Sequence, residues 1–390
     1  MIHNNFSLAF IHDWLTIKGG SEKVLQVLLH MYPKAPVYTL VYAANVFANH
    51  PVTDHEITTS FINKLPRAQT KYRSYLPLMP LAIEQFDLQD YQVLLSSSHA
   101  VAHGILPAAD QLHINYIYTP VRYAWRLYHD YIIEANLNSG IRGAMAKVIL
   151  HYLRLWDLAA SQRVDKFISI SHWVSKNVWR AYRRKSKVIY PPVDVDLFRP
   201  QHPRADYYIT VSRLVPNKKI AMIIDVFSKL DYPLMVIGDG PELENLSSLA
   251  TPNIDILGWQ SDEVVREMLG RAKAFIQVAE EDFGIASVEA QASGCPVIAF
   301  GRGGVLETVI PGKTGVFFDE QIPASLQKVV QDFESGAYKF KTTDLLANVE
   351  RFRRERFELE FGDFVDRAWE EFVIDPQFTT EHGSNAEARP

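Results

Sequence analysis

The sequence predicts an α/β protein built from two doubly wound domains, and three observations predict it. Short apolar runs alternate with helix-like stretches along the chain. This alternation occurs twice, on either side of the adjacent prolines in "YPPVDVDLFRP", residues 190–200. Charge divides at the same place: residues 1–190 carry 20 Lys+Arg against 12 Asp+Glu, and residues 191–390 carry 20 against 33. Strands alternating with helices imply parallel sheets covered on both faces. A basic half beside an acidic half implies two domains with different partners.

In chain order, the first half offers strands at 6–11 "FSLAFI", 91–97 "YQVLLSS", 112–118 "LHINYIY" and 166–170 "KFISI". Its helices are expected at 21–31, 141–162 and 172–183. The two prolines then forbid helix and break any ladder. The second half offers strands at 207–212 "YYITVS", 234–238 "LMVIG", 253–257 "NIDIL", 274–278 "AFIQV" and 296–300 "PVIAF". Helical patterns lie between them, at 219–230, 241–249, 261–271 and 285–293. The expected organisation is a first domain at 1–190, a linker at 191–205, a second domain at 206–375 and a polar, disordered tail at 376–390.

Composition narrows the class. Hydrophobic residues make up 47% and charged residues 22%, an ordinary globular balance. The single cysteine, Cys295, forms no internal disulfide and fits a reducing compartment. No apolar run reaches the roughly 18 residues of a membrane span, and the N-terminus lacks the features of a secretory leader.

The chemistry concentrates in "AFIQVAEEDFGIASVEAQASG". It reads strand, loop, helix. Glu281 falls past the strand's carboxyl end, where open α/β sheets bind ligands. Gly284 permits close backbone approach, and the amides of 284–286 open a helix suited to an anion. Glu289 stands about one turn into that helix, so the two acids can bracket a ligand; simple capping of the helix dipole is the plain alternative. In "VSRLVPNKK", Arg213 and Lys218 leave the carboxyl end of strand 207–212 toward the same edge. Two cations beside two carboxylates suit a sugar joined to a diphosphate, although a solvated loop with a surface ion pair explains them too. Gly19-Gly20, followed by the potential cap Ser21, and Gly303-Gly304 are further close-approach loops, each equally readable as a turn.

Taken together and in order, Gly19-Gly20, "SRLVPNKK", "VIGDGPELENL", "EEDFGIASVEAQASGCPVIA" and "GGVLETVIPGKTGVFF" resemble the retaining glycosyltransferases of family 4. The resemblance implies the GT-B fold, two Rossmann-like domains facing a central cleft. It implies that Arg213 and Lys218 stabilise the departing diphosphate. Glu281, with the amides of Phe283, Gly284 and Ile285, would hold the transferred sugar; Glu289 would hold the ribose, and the Gly19-Gly20 loop would cover the phosphates. His99, just past strand 91–97, resembles the family histidine near the donor sugar, with His103 as competitor. The family's front-face route leaves Glu281 without a nucleophile's role, unlike the carboxylate of a double displacement. One departure is Lys219, where many members have glycine; Lys218 is chosen as the clamp by spacing.

The first half has a closer resemblance. "DWLTIKGGSEKVL", "LPLMPLAIEQFDLQDYQVLLSSSHAVAHGI" and "YIYTPVRYAWRLYHDY" are similar to bacterial mannosyltransferases of O-antigen and exopolysaccharide assembly. This implies GDP-mannose as donor and a lipid-linked or oligosaccharide acceptor. Arg122, Tyr123 and Trp125 are the acceptor-side candidates, since aromatic faces suit sugar rings and arginine a diphosphate; core aromatics and a surface arginine are the alternative. Trp259-Gln260 is a candidate neighbour of the donor base.

No metal or other cofactor is expected. Asp194-x-Asp196 has the form of a metal-binding pair, but after two prolines it reads as a turn. Residues 176–187, "KNVWRAYRRKSK", hold six cations and no acid, with aromatics interleaved. They suit an anionic membrane surface, as does 61–77; a solvated basic face is the alternative. The expected location is cytoplasmic, peripheral on the inner face of the plasma membrane. No nucleic-acid motif appears. Competing readings are a UDP-sugar transferase, a sugar-nucleotide epimerase or hydrolase, and a non-catalytic glycan-binding scaffold. A nicotinamide enzyme is disfavoured because no G-x-G-x-x-G follows the first strand.

Overall fold

The computed structural model describes residues 6–48, 50–134 and 137–374; the tail expected at 376–390 lies outside them. The chain forms two compact units. One comprises the chain up to Ile170, Val174–Ile189 and the residues from Glu358 on; the other comprises Ser171–Trp173 and Tyr190–Phe357.

The first unit contains strands β1 (Leu8–His12), β2 (Val37–Thr39), β3 (Ile57–Thr59), β4 (Val93–Ser98), β5 (Leu112–Ile117), β6 (Lys166–Ser169) and β7 (Ser186–Val188). They form one parallel sheet in the order β3-β2-β1-β4-β5-β6-β7. β1, β4 and β5 are buried along their whole length, as parallel strands covered on both faces are. The second unit contains β8 (Tyr208–Val211), β9 (Leu234–Ile237), β10 (Ile254–Gly258), β11 (Ala274–Gln277), β12 (Val297–Phe300) and β13 (Gly315–Phe318). Its order is β10-β9-β8-β11-β12-β13, again parallel throughout. Both sheets therefore reverse direction of winding once, between β1 and β4 and between β8 and β11. Those reversals are the switch points at which doubly wound sheets open a crevice.

Alternation along the strands builds the cores. Ala274 and Ile276 of β11 join an apolar cluster with Ile223, Phe227 and Leu326. Their neighbour Phe275 joins Leu269, Ala290 and Val305 on the opposite face. This is the period-two pattern of a strand buried on both sides.

Two features differ from the sequence reading of domains. Residues 191–205, read as a linker, belong to the second unit: Val193 N donates to Phe352 O at 2.8 Å, and Ala205 N to Arg271 O at 2.8 Å. The last helix, Arg354–Ile374, packs from Glu358 on with the first unit, although the sequence reading carries the second domain to 375. Its Phe361 ring lies 5.9 Å from Tyr116 of β5, and its Trp369 ring 5.6 Å from Phe6. Lys166 of β6 pairs with Glu371 at 2.7 Å. Helical periodicity reveals that a helix has an apolar face, but not which sheet that face will cover.

Candidate active site

In the second unit, β8 and β11 deliver the predicted cations and acids to the switch point. Lys218 sits in a single 3-10 turn, Pro216–Lys218, after β8. Its Nζ pairs with Glu281 Oε1, in the loop after β11, with the two side chains 21% and 18% exposed. The pair is thus partly desolvated yet reachable from water. Arg213 is exposed just beyond β8. Gly284 has φ +89° and precedes the helix Ile285–Ala292; Phe283 and Glu289 are buried. A side chain at 284 would crowd Ser287 Oγ at 2.9 Å. Ser287 Oγ lies 2.8 Å from Gly284 O and 3.1 Å from Gln277 Oε1, either of which can accept its proton, and so ties the helix start to β11.

Lys219 adopts φ +54°, a left-handed conformation that glycine takes without penalty. For lysine it costs roughly 1–2 kcal/mol. Its Nζ donates to Gln321 Oε1 at 2.7 Å, so of the two adjacent lysines it is Lys218 that meets Glu281.

Glycine loops brace this edge. Gly304 N donates to Glu281 O at 2.7 Å. Added methyl groups at Gly303 and Gly304 would strike the Glu281 and Asp282 carbonyls. Gly238 and Gly240 pack as closely on the Ser212 and Leu214 carbonyls, and Leu214 N donates to Asp239 O at 2.9 Å. Trp259, past the carboxyl end of β10, is 73% exposed, while Gln260 Nε2 donates to Leu257 O at 2.7 Å. Asp196 is held bidentately by Arg353 at 2.5 and 2.8 Å, as a turn aspartate with an ion-pair partner.

In the first unit the matching edge holds residues that sequence reasoning missed. Asp13 and His99 are the first residues past β1 and β4. Asp13 Oδ2 accepts from His99 N at 2.6 Å and Ala100 N at 2.9 Å; Oδ1 accepts from Val101 N and Ala102 N, each at 2.7 Å. The His99 Nδ1 atom lies 3.1 Å from Asp13 Oδ2. Burial by itself raises the Asp13 pKa, but His99, His12 and the backbone donors outweigh it, and the carboxyl titrates below its ordinary value. Burial in turn holds the His99 imidazole below its ordinary value despite Asp13. Its edge packs against Trp14, with ring centres 4.7 Å apart.

Beside this pair, His12 Nε2 lies 3.5 Å from Glu22 Oε1, and Glu22 Oε2 accepts from Gly19 N at 2.9 Å. Burial raises the Glu22 carboxyl, yet His12 pulls it below its usual range. The Gly19 amide is therefore engaged by Glu22, while Gly20 is exposed at the first position of helix Gly20–Met31. Ser21, expected as the cap, lies inside that helix; Gly19 is the cap residue, because the Glu22 carboxylate reaches back to its amide. The sequence signal for Asp13 and Glu22 was only their place inside "DWLTIKGGSEKVL".

The other predicted residues lie as follows. His103 is fully buried, 3.1 Å from Asp157, whereas the His99 side chain is 26% exposed. Trp125 Nε1 donates to Asp157 Oδ2 at 2.6 Å, and Tyr182 OH to the same oxygen at 2.7 Å. Trp125 and the half-buried Tyr123 both pack on the first unit's core. Arg122, between them and β5, is half-buried.

Residues 196–345 match the family model "Glycosyl transferases group 1". An uncharacterised glycosyltransferase of Methanocaldococcus jannaschii is 28% identical over 190 residues, covering 47% of this chain and 53% of that protein. A GDP-mannose-dependent alpha-mannosyltransferase of Corynebacterium glutamicum is 29% identical over 128 residues, 31% of each chain. The chain thus spans about half the length, or less, of the curated relatives it matches. Among solved structures, Anabaena HepE in complex with UDP and glucose superposes with a TM-score of 0.68 at 17% identity, covering 93% of this chain and 100% of that one. Sucrose-phosphate synthase from Thermosynechococcus elongatus gives 0.71 at 14% identity, covering 93% and 99%. Segment 196–345 accordingly resembles the group 1 glycosyltransferases, and the chain that carries it has the GT-B fold.

Proposed function

We propose that this chain is a retaining hexosyltransferase that moves mannose from GDP-mannose to a lipid-linked or oligosaccharide acceptor during surface polysaccharide synthesis. The observation that carries the transferase reading is the partly exposed Lys218–Glu281 pair at the second switch point, next to Gly284 and the buried Glu289. A diphosphate bearing a sugar would offer phosphate oxygens to Lys218 and Arg213 and hydroxyls to Glu281. The cations then stabilise charge that develops on the leaving diphosphate. Glu289 holds the ribose, the amides of Phe283, Gly284 and Ile285 orient the sugar, and exposed Trp259 offers a face for the base.

In the first unit, His99 is the sugar-facing histidine. Its Nδ1 lies 3.1 Å from Asp13 Oδ2, and its side chain is 26% exposed. Gly20 and the loop before it would cover the phosphates. Arg122 is the favoured acceptor contact of the three candidates, because Trp125 is committed to Asp157. The protein acts at the cytoplasmic face of an anionic membrane; among the described residues no helix is long and apolar enough to cross one.

The mannose assignment draws support from the Corynebacterium relative, and a UDP-sugar is the second reading, favoured by the UDP complex of Anabaena HepE. A binding titration with GDP-mannose, UDP-glucose and UDP-N-acetylglucosamine, repeated on Glu289→Ala, separates them. Saturable binding of GDP-mannose alone, weakened by the substitution, is expected. Binding of a UDP-sugar instead transfers the assignment to that donor. Absence of binding at millimolar concentration of all three rejects the transferase reading and favours a glycan-binding scaffold.

A further inference from the structure

The helix Gly140–Ser161 in the first unit presents a face that its own fold leaves uncovered. Leu150, Leu153, Asp157 and Ala160 fix one side into the unit. On another side, Ile141, Met145, Val148, Tyr152 and Leu155 are 81%, 59%, 68%, 50% and 57% exposed. Their spacing of four, three, four and three residues aligns them in one stripe. At 1.5 Å per residue the stripe is roughly 21 Å long. Soluble surfaces rarely leave a contiguous apolar patch of this kind without an occupant.

The charges beside it share one sign. Arg142 and Lys147 are exposed, and the helix's sole acid, Asp157, is buried. At its last turn, Arg184 donates to Ser161 O at 3.2 Å and to Val164 O at 2.5 Å. Arg184 also lines an open depression of about 550 Å³ with Lys176, Trp179, Arg180 and Lys185. The basic surface foreseen at 176–187 thus adjoins the C-terminal end of this helix.

Charge selects the occupant. A second copy of this helix face would offer Arg142 and Lys147 no carboxylate, since the helix's one acid is buried. An anionic bilayer supplies an apolar boundary and negative headgroups together. We propose that helix Gly140–Ser161 lies in the plane of an anionic membrane, its stripe sunk to the headgroup–acyl boundary and the basic depression resting on headgroups. This deepens the membrane-surface part of the proposed function by naming its embedding element, and it is independent of the donor.

The test floats the full chain with vesicles of phosphatidylcholine, with and without phosphatidylglycerol. The intact chain is expected to bind the anionic vesicles, and Val148→Asp/Leu155→Asp to bind at least about tenfold more weakly. The emission that Met145→Trp adds to that of the intact chain is expected to shift to the blue with anionic vesicles only. The proposal is overturned if the double variant binds like the intact chain, or if that added emission does not move in vesicle-bound Met145→Trp protein. It is equally overturned if ultracentrifugation finds an intact dimer and a monomeric double variant, which would give the face to a second copy. Circular dichroism checks that the double variant is folded; should it misfold, the fluorescence result decides. Donor titration of the same variants keeps this outcome separate from failure of the donor assignment.

Discussion

At the switch point of the first sheet, four backbone amides and an imidazole enclose Asp13; at that of the second, Lys218 and Glu281 meet with about a fifth of each side chain exposed. The two edges share a topology and differ in how their charges are compensated. Asp13 is satisfied from within its own fold, so it fixes the β4 loop and presents His99. Lys218 and Glu281 compensate each other in partial contact with water, so a ligand can replace either partner. One edge positions, the other responds.

Substitutions can break this contrast. The largest effect is expected for Asp13→Ala, which strands four amide donors in the interior and should cost on the order of 3–5 kcal/mol of stability. Urea unfolding measures it; a loss below about 1 kcal/mol would mean that the loop holds itself. Lys218→Ala should behave oppositely. Its turnover is expected to fall ~10²–10³-fold, while stability changes by less than about 1 kcal/mol, as for other partly exposed pairs. Steady-state rates with the identified donor, beside an unfolding curve, test both halves. A large stability loss with unchanged turnover would make Lys218 structural.

The smallest effect concerns pH and sharpens the account of the first unit. His113 in β5 is buried, with Nε2 2.7 Å from Ser96 Oγ and Nδ1 3.2 Å from Arg163 O. Burial lowers its pKa from 6.5 to about 3. Below pH 6.5 the unfolded chain takes up a proton that the folded chain refuses, so stability should fall as pH drops toward 3 and be restored above 6.5. The depressed Asp13 and Glu22 carboxyls act in the same sense, adding their loss below their ordinary values of 3.8 and 4.5. Urea midpoints at pH 7, 5 and 4 should decline, less steeply in His113→Gln. A midpoint rising on acidification would contradict the assignment.

The sequence carried the longer strands of both sheets because "YQVLLSS" and "AFIQV" are buried runs between clear helical patterns, but it did not name the helices Pro323–Glu334 and Arg354–Ile374, which follow the last strand it revealed. It did not reveal β2, β3 and β7, whose "VYT", "ITT" and "SKV" are too short to establish a period. β13 was hidden inside "GKTGVFF", where the glycines spoke louder than the strand. In the second unit, spacing alone indicated Lys218 over Lys219, and the left-handed backbone at 219 gives that choice a physical basis. Asp13 was harder to see. Its partners lie 86 to 89 residues downstream, and backbone amides carry no sequence signature.

The close seating of Gly303 and Gly304 on the Glu281 and Asp282 carbonyls has a consequence for anyone who would redesign this edge of the sheet. The two loops are separate in sequence but form one mechanical part, because Gly303 and Gly304 cannot gain a side chain without displacing the Glu281 and Asp282 backbone. A library that randomises the Glu281 loop alone would explore shapes its neighbour forbids. Productive variants should arise when both loops are varied, or grafted, together.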